Sequence, residues 1–311
     1  MNPALSVVVF TTLAGAAQGL VVALAIAVLA GVPMAVSFVR AGLLVAMVLL
    51  VGGLASSFLH LGRPARAWRA AAMWRTSWLS REVIVLPAFI VLVALWWFAA
   101  RDPGSPGGRV ALPLAAIAVA ALLWHCTAMI YACLRFIEEW AQPLTIVNFV
   151  LLGVSSGTVL ASALAALAGE QRALSLAAPT ALAVTLVAWA SRTAAWRRNA
   201  ALRHRSSLQT ATGIRSARLA QTSMGMSAGS FNTREFFHRV SASAVRRIKG
   251  IAIVLGFALP AVLVAGVAAG LLPGLACVVA LIAQAPGLIA DRWLFFAQAK
   301  HPQNLYYQVV S

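Results

Sequence analysis

Runs of about 20 predominantly apolar residues recur along this chain, and no other feature restricts its fold so strongly. A run of that length, wound as an α-helix, crosses the roughly 30 Å of bilayer hydrocarbon with its backbone polar groups satisfied internally. Marking the runs predicts eight spans, at about 4–30, 36–60, 82–100, 110–134, 143–168, 173–194, 248–270 and 272–296. The first run lacks a basic leader and stays apolar too long for a cleavable signal peptide, so it reads as a span. Of 311 residues, 62% are hydrophobic and only 10% charged, a balance that one soluble core could not hide. The expected fold is all-α, a polytopic membrane helix bundle forming a single membrane domain over 1–311, with one long basic loop at about 195–247. Small residues such as Gly15, Ala16 and Ala17 in the first span suit close helix packing in lipid.

Orientation follows from the basic residues, because Lys and Arg in short loops are retained in the cytoplasm. The side that holds both predicted termini carries 20 of the 24 basic residues, and Arg40, Arg101, Arg109 and Arg172 fall on the other. Leaving out the long loop, which has less weight in such a count, still leaves 8 against 4. Both termini are therefore expected in the cytoplasm. The net charge of +17 does not imply a nucleic-acid partner, since the basic residues lie between apolar runs and no nucleic-acid-binding fold is recognisable. Trp68, Trp74, Trp78, Trp140, Trp196 and Trp293 gather at the same ends of the spans. They read as an interfacial aromatic belt, as a docking surface, or as both. The loop at 195–247, with its polar run QTSMGMSAGSFNTREFF, is too polar to span; a docked subunit or lipid headgroups would order it.

An ionisable residue in or beside the hydrocarbon is costly enough to suggest function. Three candidates stand out: His60 closing the second span, Glu82 opening the third, and His125 inside the fourth. His60 and Glu82 end consecutive helices joined by one loop, so the chain returns them to one depth. With Arg63 and Arg81 beside them, a carboxylate and an imidazole suit a lipid-soluble quinone, whose carbonyls exchange protons as electrons move. The arginines would hold Glu82 ionised against the burial that favours its neutral form. The plainer reading is that these are interfacial residues touching water or headgroups. His125 reads as a buried polar contact; His60 is separated from it in depth by roughly 13 Å, so no bis-histidine haem is expected. Asp291 and Arg292 read as a mutual interfacial pair, and Glu138 and Glu139 as solvated loop charges. Cys126, Cys133 and Cys277 lack metal or cluster spacing. No catalytic residue, metal site, haem or iron–sulfur cluster is expected in the chain.

The segment SSFLHLGRPARAWRAAAMWRTSWLSREV, with its histidine, G-R-P turn and L-S-R-E helix start, resembles the membrane anchor subunit of DMSO reductase, the DmsC family of complex iron–sulfur molybdoenzymes. The resemblance extends over nearly the whole chain, because eight apolar spans are also that family's plan. It implies that His60 and Glu82 belong to a quinol site, with menaquinone or ubiquinone as exchangeable substrate. It also implies partners: an iron–sulfur electron-transfer subunit and, through it, a molybdopterin catalytic subunit, at a bacterial inner membrane. CTAMIYACLRF, LQTATGI, FNTREFF and RWLFFAQAKHPQNLYY are similar to stretches in the anchors of cytoplasm-facing sulfite dehydrogenases. A small-molecule transporter is the rival from another class, although its ionisable site is expected near the midplane rather than at one edge. A purely structural anchor is a third reading.

Overall fold

Helices longer than the bilayer is thick begin and end where the sequence supplies caps or exhausts its apolar run. The computed structural model describes residues 1–59, 61–102, 105–223, 233 and 236–306, and its regular structure there is entirely helical. Among the described residues, eight helices are long and apolar enough to cross a membrane. They are α1 (Leu5–Leu29), α2 (Val36–Phe58), α3 (Trp78–Ala99), α4 (Gly107–Ala132), α5 (Pro143–Ala168), α6 (Gln171–Ala200), α8 (Ala242–Ala268) and α9 (Ala276–Ala297). A short α7 (Leu208–Thr212) lies in the loop between α6 and α8, and a 3-10 helix (Pro64–Met73) fills the loop between α2 and α3.

Every predicted span has its helix, and the differences lie at the ends. The loop expected at about 195–247 is narrower, because α6 continues to Ala200 and α8 starts at Ala242. Both extensions lie beyond the apolar run, where water can take over from lipid. Arg197 and Arg198 in the last turn of α6 complement its helix dipole. The Ser241 hydroxyl accepts from the Ala244 amide at 3.3 Å and caps α8. Ser77 caps α3 in the same way, accepting from Ser80, and so starts that helix four residues earlier than hydropathy alone suggests.

Helices α1 and α5 form the centre, with α2, α4 and α9 packed on α1 and with α4, α6 and α9 packed on α5. Without a hydrophobic drive between helices in lipid, this contact depends on close backbone approach. A Cβ added at Gly157 would stand 2.1 Å from the Gly19 carbonyl carbon, and one at Gly19 2.0 Å from the Gly153 oxygen. A π-helical turn at Val254–Ala258 in α8 sets a second such crossing, where a Cβ on Gly287 would meet the Gly256 nitrogen at 2.0 Å. Polar side chains tie the same helices: Gln284 of α9 donates to Ser155 of α5 at 3.2 Å, and Ser155 shares a 2.8 Å bond with Thr185 of α6.

Both ends of the described chain meet at one end of the bundle. The Met1 amino nitrogen donates to the carbonyls of Ala297 and Ala299, each at 3.1 Å. At the opposite end, fully buried Trp96 donates its indole N–H to the Gly108 carbonyl at 2.9 Å. Trp96→Phe removes the donor and leaves that carbonyl buried, so a loss of about 1–3 kcal/mol is expected. A fall in the thermal midpoint of the purified protein, relative to unaltered protein in the same detergent, measures it.

Candidate functional site at the terminal end of the bundle

The end that holds the termini also holds the predicted site. Glu82 lies about one turn inside α3 and is buried, with 5% of its surface exposed. Its carboxylate accepts a hydrogen bond from the Thr127 hydroxyl of α4, with which α3 packs. Cys126 and Tyr131 of α4 lie within its electrostatic reach. The result is a proton-exchanging group placed in the apolar slab near its edge, held by one neutral donor.

The other predicted residues divide. His60 lies outside the described residues. Arg63 is exposed and caps the 3-10 helix by position only. Arg81 is turned toward the loop: its guanidinium donates to the carbonyls of Trp74 at 2.9 Å and Arg75 at 2.8 Å, and lies 4.1 Å from the centre of the Trp78 ring. No ion pair joins Arg63 or Arg81 to Glu82 among the described residues. Arg81 instead fastens the loop between α2 and α3 onto the start of α3, beside the carboxylate. Trp68, Met73 and Trp74 of that loop are exposed, so the loop presents apolar surface.

Three readings of charged residues are corrected. His125 is not a buried contact but sits on the outer surface of α4, with its ring edge-on to Trp78 at 5.2 Å. Asp291 pairs with Arg192 of α6 at 2.5 Å rather than with its neighbour Arg292, and all three are buried. Facing successive directions on a helix, adjacent residues rarely share a partner, and the sequence could not show that Arg192 lies opposite. Glu139 is buried, 5% exposed, while Glu138 is partly exposed and accepts from the Arg205 amide at 2.8 Å. The free cysteines are unpaired, and no group of metal-ligating side chains occurs among the described residues.

Above this polar end, the tail after α9 folds over a cavity of about 890 Å³, lined in part by Phe136, Phe236, His238 and His301. The His301 ring stacks on Phe236 at 4.1 Å. Burial, and secondarily the nearby terminal amine, hold His238 and His301 below the usual imidazole range. Burial lowers the Met1 amine to about 6, partly opposed by Glu139. Of the run QTSMGMSAGSFNTREFF, residues 224–232 and 234–235 lie outside the described residues.

A bundle of eight apolar helices with Glu82 buried against Thr127 at its terminal edge is the form of a membrane anchor, and the chain belongs to the DMSO reductase anchor subunit (DmsC) family, whose sequence pattern matches residues 1–296. It is a multi-pass membrane protein. One relative, a sulfite dehydrogenase subunit from Allochromatium vinosum, is 46% identical across the whole of both chains.

Proposed function

We propose that this chain anchors a sulfite dehydrogenase complex to a bacterial inner membrane and exchanges electrons between quinone and a docked iron–sulfur subunit, which serves a molybdopterin catalytic subunit. The observation that supports it most directly is the burial of Glu82 at the lipid edge of a DmsC-family bundle. Reducing a quinone consumes an electron pair and a pair of protons, and the protons must come from a group that reaches the carbonyl oxygen. Glu82 is the proton carrier in this reading, and Thr127 fixes its carboxyl orientation. His60 is the hydrogen-bond partner of a quinone carbonyl. Arg81 holds the wall of the site by its loop contacts, and Arg63 stands at its rim. The Trp- and Arg-rich loops support a cytoplasmic terminal end, and the iron–sulfur subunit docks there in this reading. The relative is named as a subunit of a sulfite dehydrogenase, which supports electrons leaving sulfite, and quinone is their acceptor in this reading.

A fluorescent quinol-analogue inhibitor titrated into membranes containing the complex tests the site. Saturable quenching is expected, and Glu82→Leu should remove it. Equal saturable binding by that variant would overturn the placement of quinone at Glu82.

A further inference from the structure

Glu82 does not account for the other buried charges at the terminal end. Asp291 (1% exposed), Arg292 (4%) and Arg192 (4%) converge with Asn148 (5%) from α9, α6 and α5. The loop between α4 and α5 adds Glu139 and Gln142, and together they wall a cavity of about 10 Å³. That is close to the space one water occupies, roughly 10–15 Å³ measured in this way.

Half of the polar atoms here are satisfied. Arg192 Nε donates to Asp291 Oδ1 at 2.5 Å, Asn148 Nδ2 to the Leu144 carbonyl at 2.8 Å, and Gln142 Nε2 to the Glu139 carbonyl at 2.9 Å. The other half is not: Asp291 Oδ2, Asn148 Oδ1, Gln142 Oε1 and Glu139 Oε2 are buried without a hydrogen-bond partner. The Asn and Gln orientations are set by their satisfied amide donors, so the unpartnered atoms are acceptors in each case. Arg292 lies 3.9 Å from the centre of the Phe149 ring, another wall of the cavity, and donates no hydrogen bond among the described residues.

Four buried acceptors around one small space require a donor, since each has given up its hydrogen bond to bulk water without a replacement. The two arginines and two carboxylates balance in charge, which favours a neutral occupant. An anion would meet the acceptors, and a metal cation would meet two guanidinium groups. One water donates to two of these acceptors at a time and can accept from Arg292.

We propose that this cavity is an internal hydration site that passes protons between the terminal face and the quinone carboxylate. At its outer end, Glu139 Oε1 lies 3.5 Å from Nε2 of His204, whose side chain is 29% exposed. At its inner end, the Phe149 ring stacks on Tyr131 at 5.7 Å, and Tyr131 lies one turn of α4 beyond Thr127, whose hydroxyl donates to Glu82. A proton enters at Glu139, and the water takes it up as it gives one of its own to Asp291 Oδ2; Asp291 passes a proton to the Tyr131 hydroxyl, which donates its own toward the Glu82 carboxylate. The hydration site stands by itself; its proton role rests on the quinone reading of Glu82.

Hydroxyl-radical footprinting of the intact complex by X-ray pulses in ¹⁸O-labelled water tests both parts, because activated internal water oxidises the rings beside it. Label is expected in Phe149 and Phe295, which line the cavity. Asn148→Leu fills the space with an apolar chain and should abolish the label. The same variant should slow quinone-linked turnover by roughly a hundredfold and leave artificial-dye activity of the catalytic subunits intact. Asn148→Ser keeps a polar, open cavity and should retain label and turnover, which a packing defect would not. Unlabelled Phe149 and Phe295 in the unaltered complex overturn the hydration site. Loss of label with unchanged turnover in Asn148→Leu overturns the proton role. Unchanged turnover in Glu82→Gln overturns the quinone reading and the proton role with it, and leaves the labelled water standing.

Discussion

Glu82→Gln should abolish quinone-linked turnover of the assembled complex while the catalytic subunits still turn over with an artificial dye. The amide has nearly the shape of the carboxylate and keeps an oxygen that can accept from Thr127, so the contact between α3 and α4 persists. What it lacks is a proton that it can gain and release. Positioned acid–base groups contribute about 10²–10⁴-fold to proton-transfer rates, and a loss in that range is expected. Glu82→Asp keeps the chemistry but draws the carboxyl back by one methylene, and so should fall between Gln and the unaltered protein. Thr127→Val removes the orienting donor and leaves the carboxyl buried without it, with a smaller loss expected. Turnover measured in membranes with a soluble quinone analogue as acceptor, beside the dye assay on the same preparation, separates these outcomes. If Glu82→Gln turns over quinone at the unaltered rate, the proton-carrier role is wrong.

The bundle is legible in the sequence because lipid leaves so few alternatives. A helix that must satisfy its backbone internally over about 30 Å has a length that can be read directly from hydropathy. Helix ends are less legible, as α6 and α8 show, because a helix can continue past the apolar run once caps and charges support it. Glu82 is legible by type and depth, and its partner Thr127 is not, since a threonine in an apolar run carries no signal until a neighbouring helix brings a carboxylate to it. Arg81 is legible as a residue of the site but not by its partner: proximity in sequence suggests Glu82, and the loop carbonyls hold it instead. The second polar centre is hidden for a related reason. Arg192, Asp291 and Arg292 lie near span ends, where sequence alone assigns charges to the interface. Only the rotation of α6 and α9 shows that these face inward.

That inward pair gives the second large effect. Arg192→Leu should destabilise the protein by about 3–5 kcal/mol, because it leaves the Asp291 carboxylate, 1% exposed, without the cation that it meets at 2.5 Å. Asp291→Leu should cost a similar amount. Although Arg192 lies 5.1 Å from the centre of the Trp196 ring, that contact does not replace an ion pair, and Lys249 already occupies the ring at 4.9 Å. Replacing both residues by Leu removes both desolvated charges together, and such double replacements are often neutral. The double variant should therefore recover most of the lost stability, with a coupling energy of about 3 kcal/mol or more between the two sites. Thermal unfolding of the four proteins in one detergent gives the cycle. Single variants as stable as the unaltered protein would mean that water reaches both charges and screens them. Recovery of stability has a further consequence, because the double variant lacks Asp291 Oδ2, the inner acceptor of the hydrated cavity. A protein that regains its fold while quinone turnover stays slow would separate the two uses of Asp291: one oxygen holds helices α6 and α9 together, and the other receives the proton.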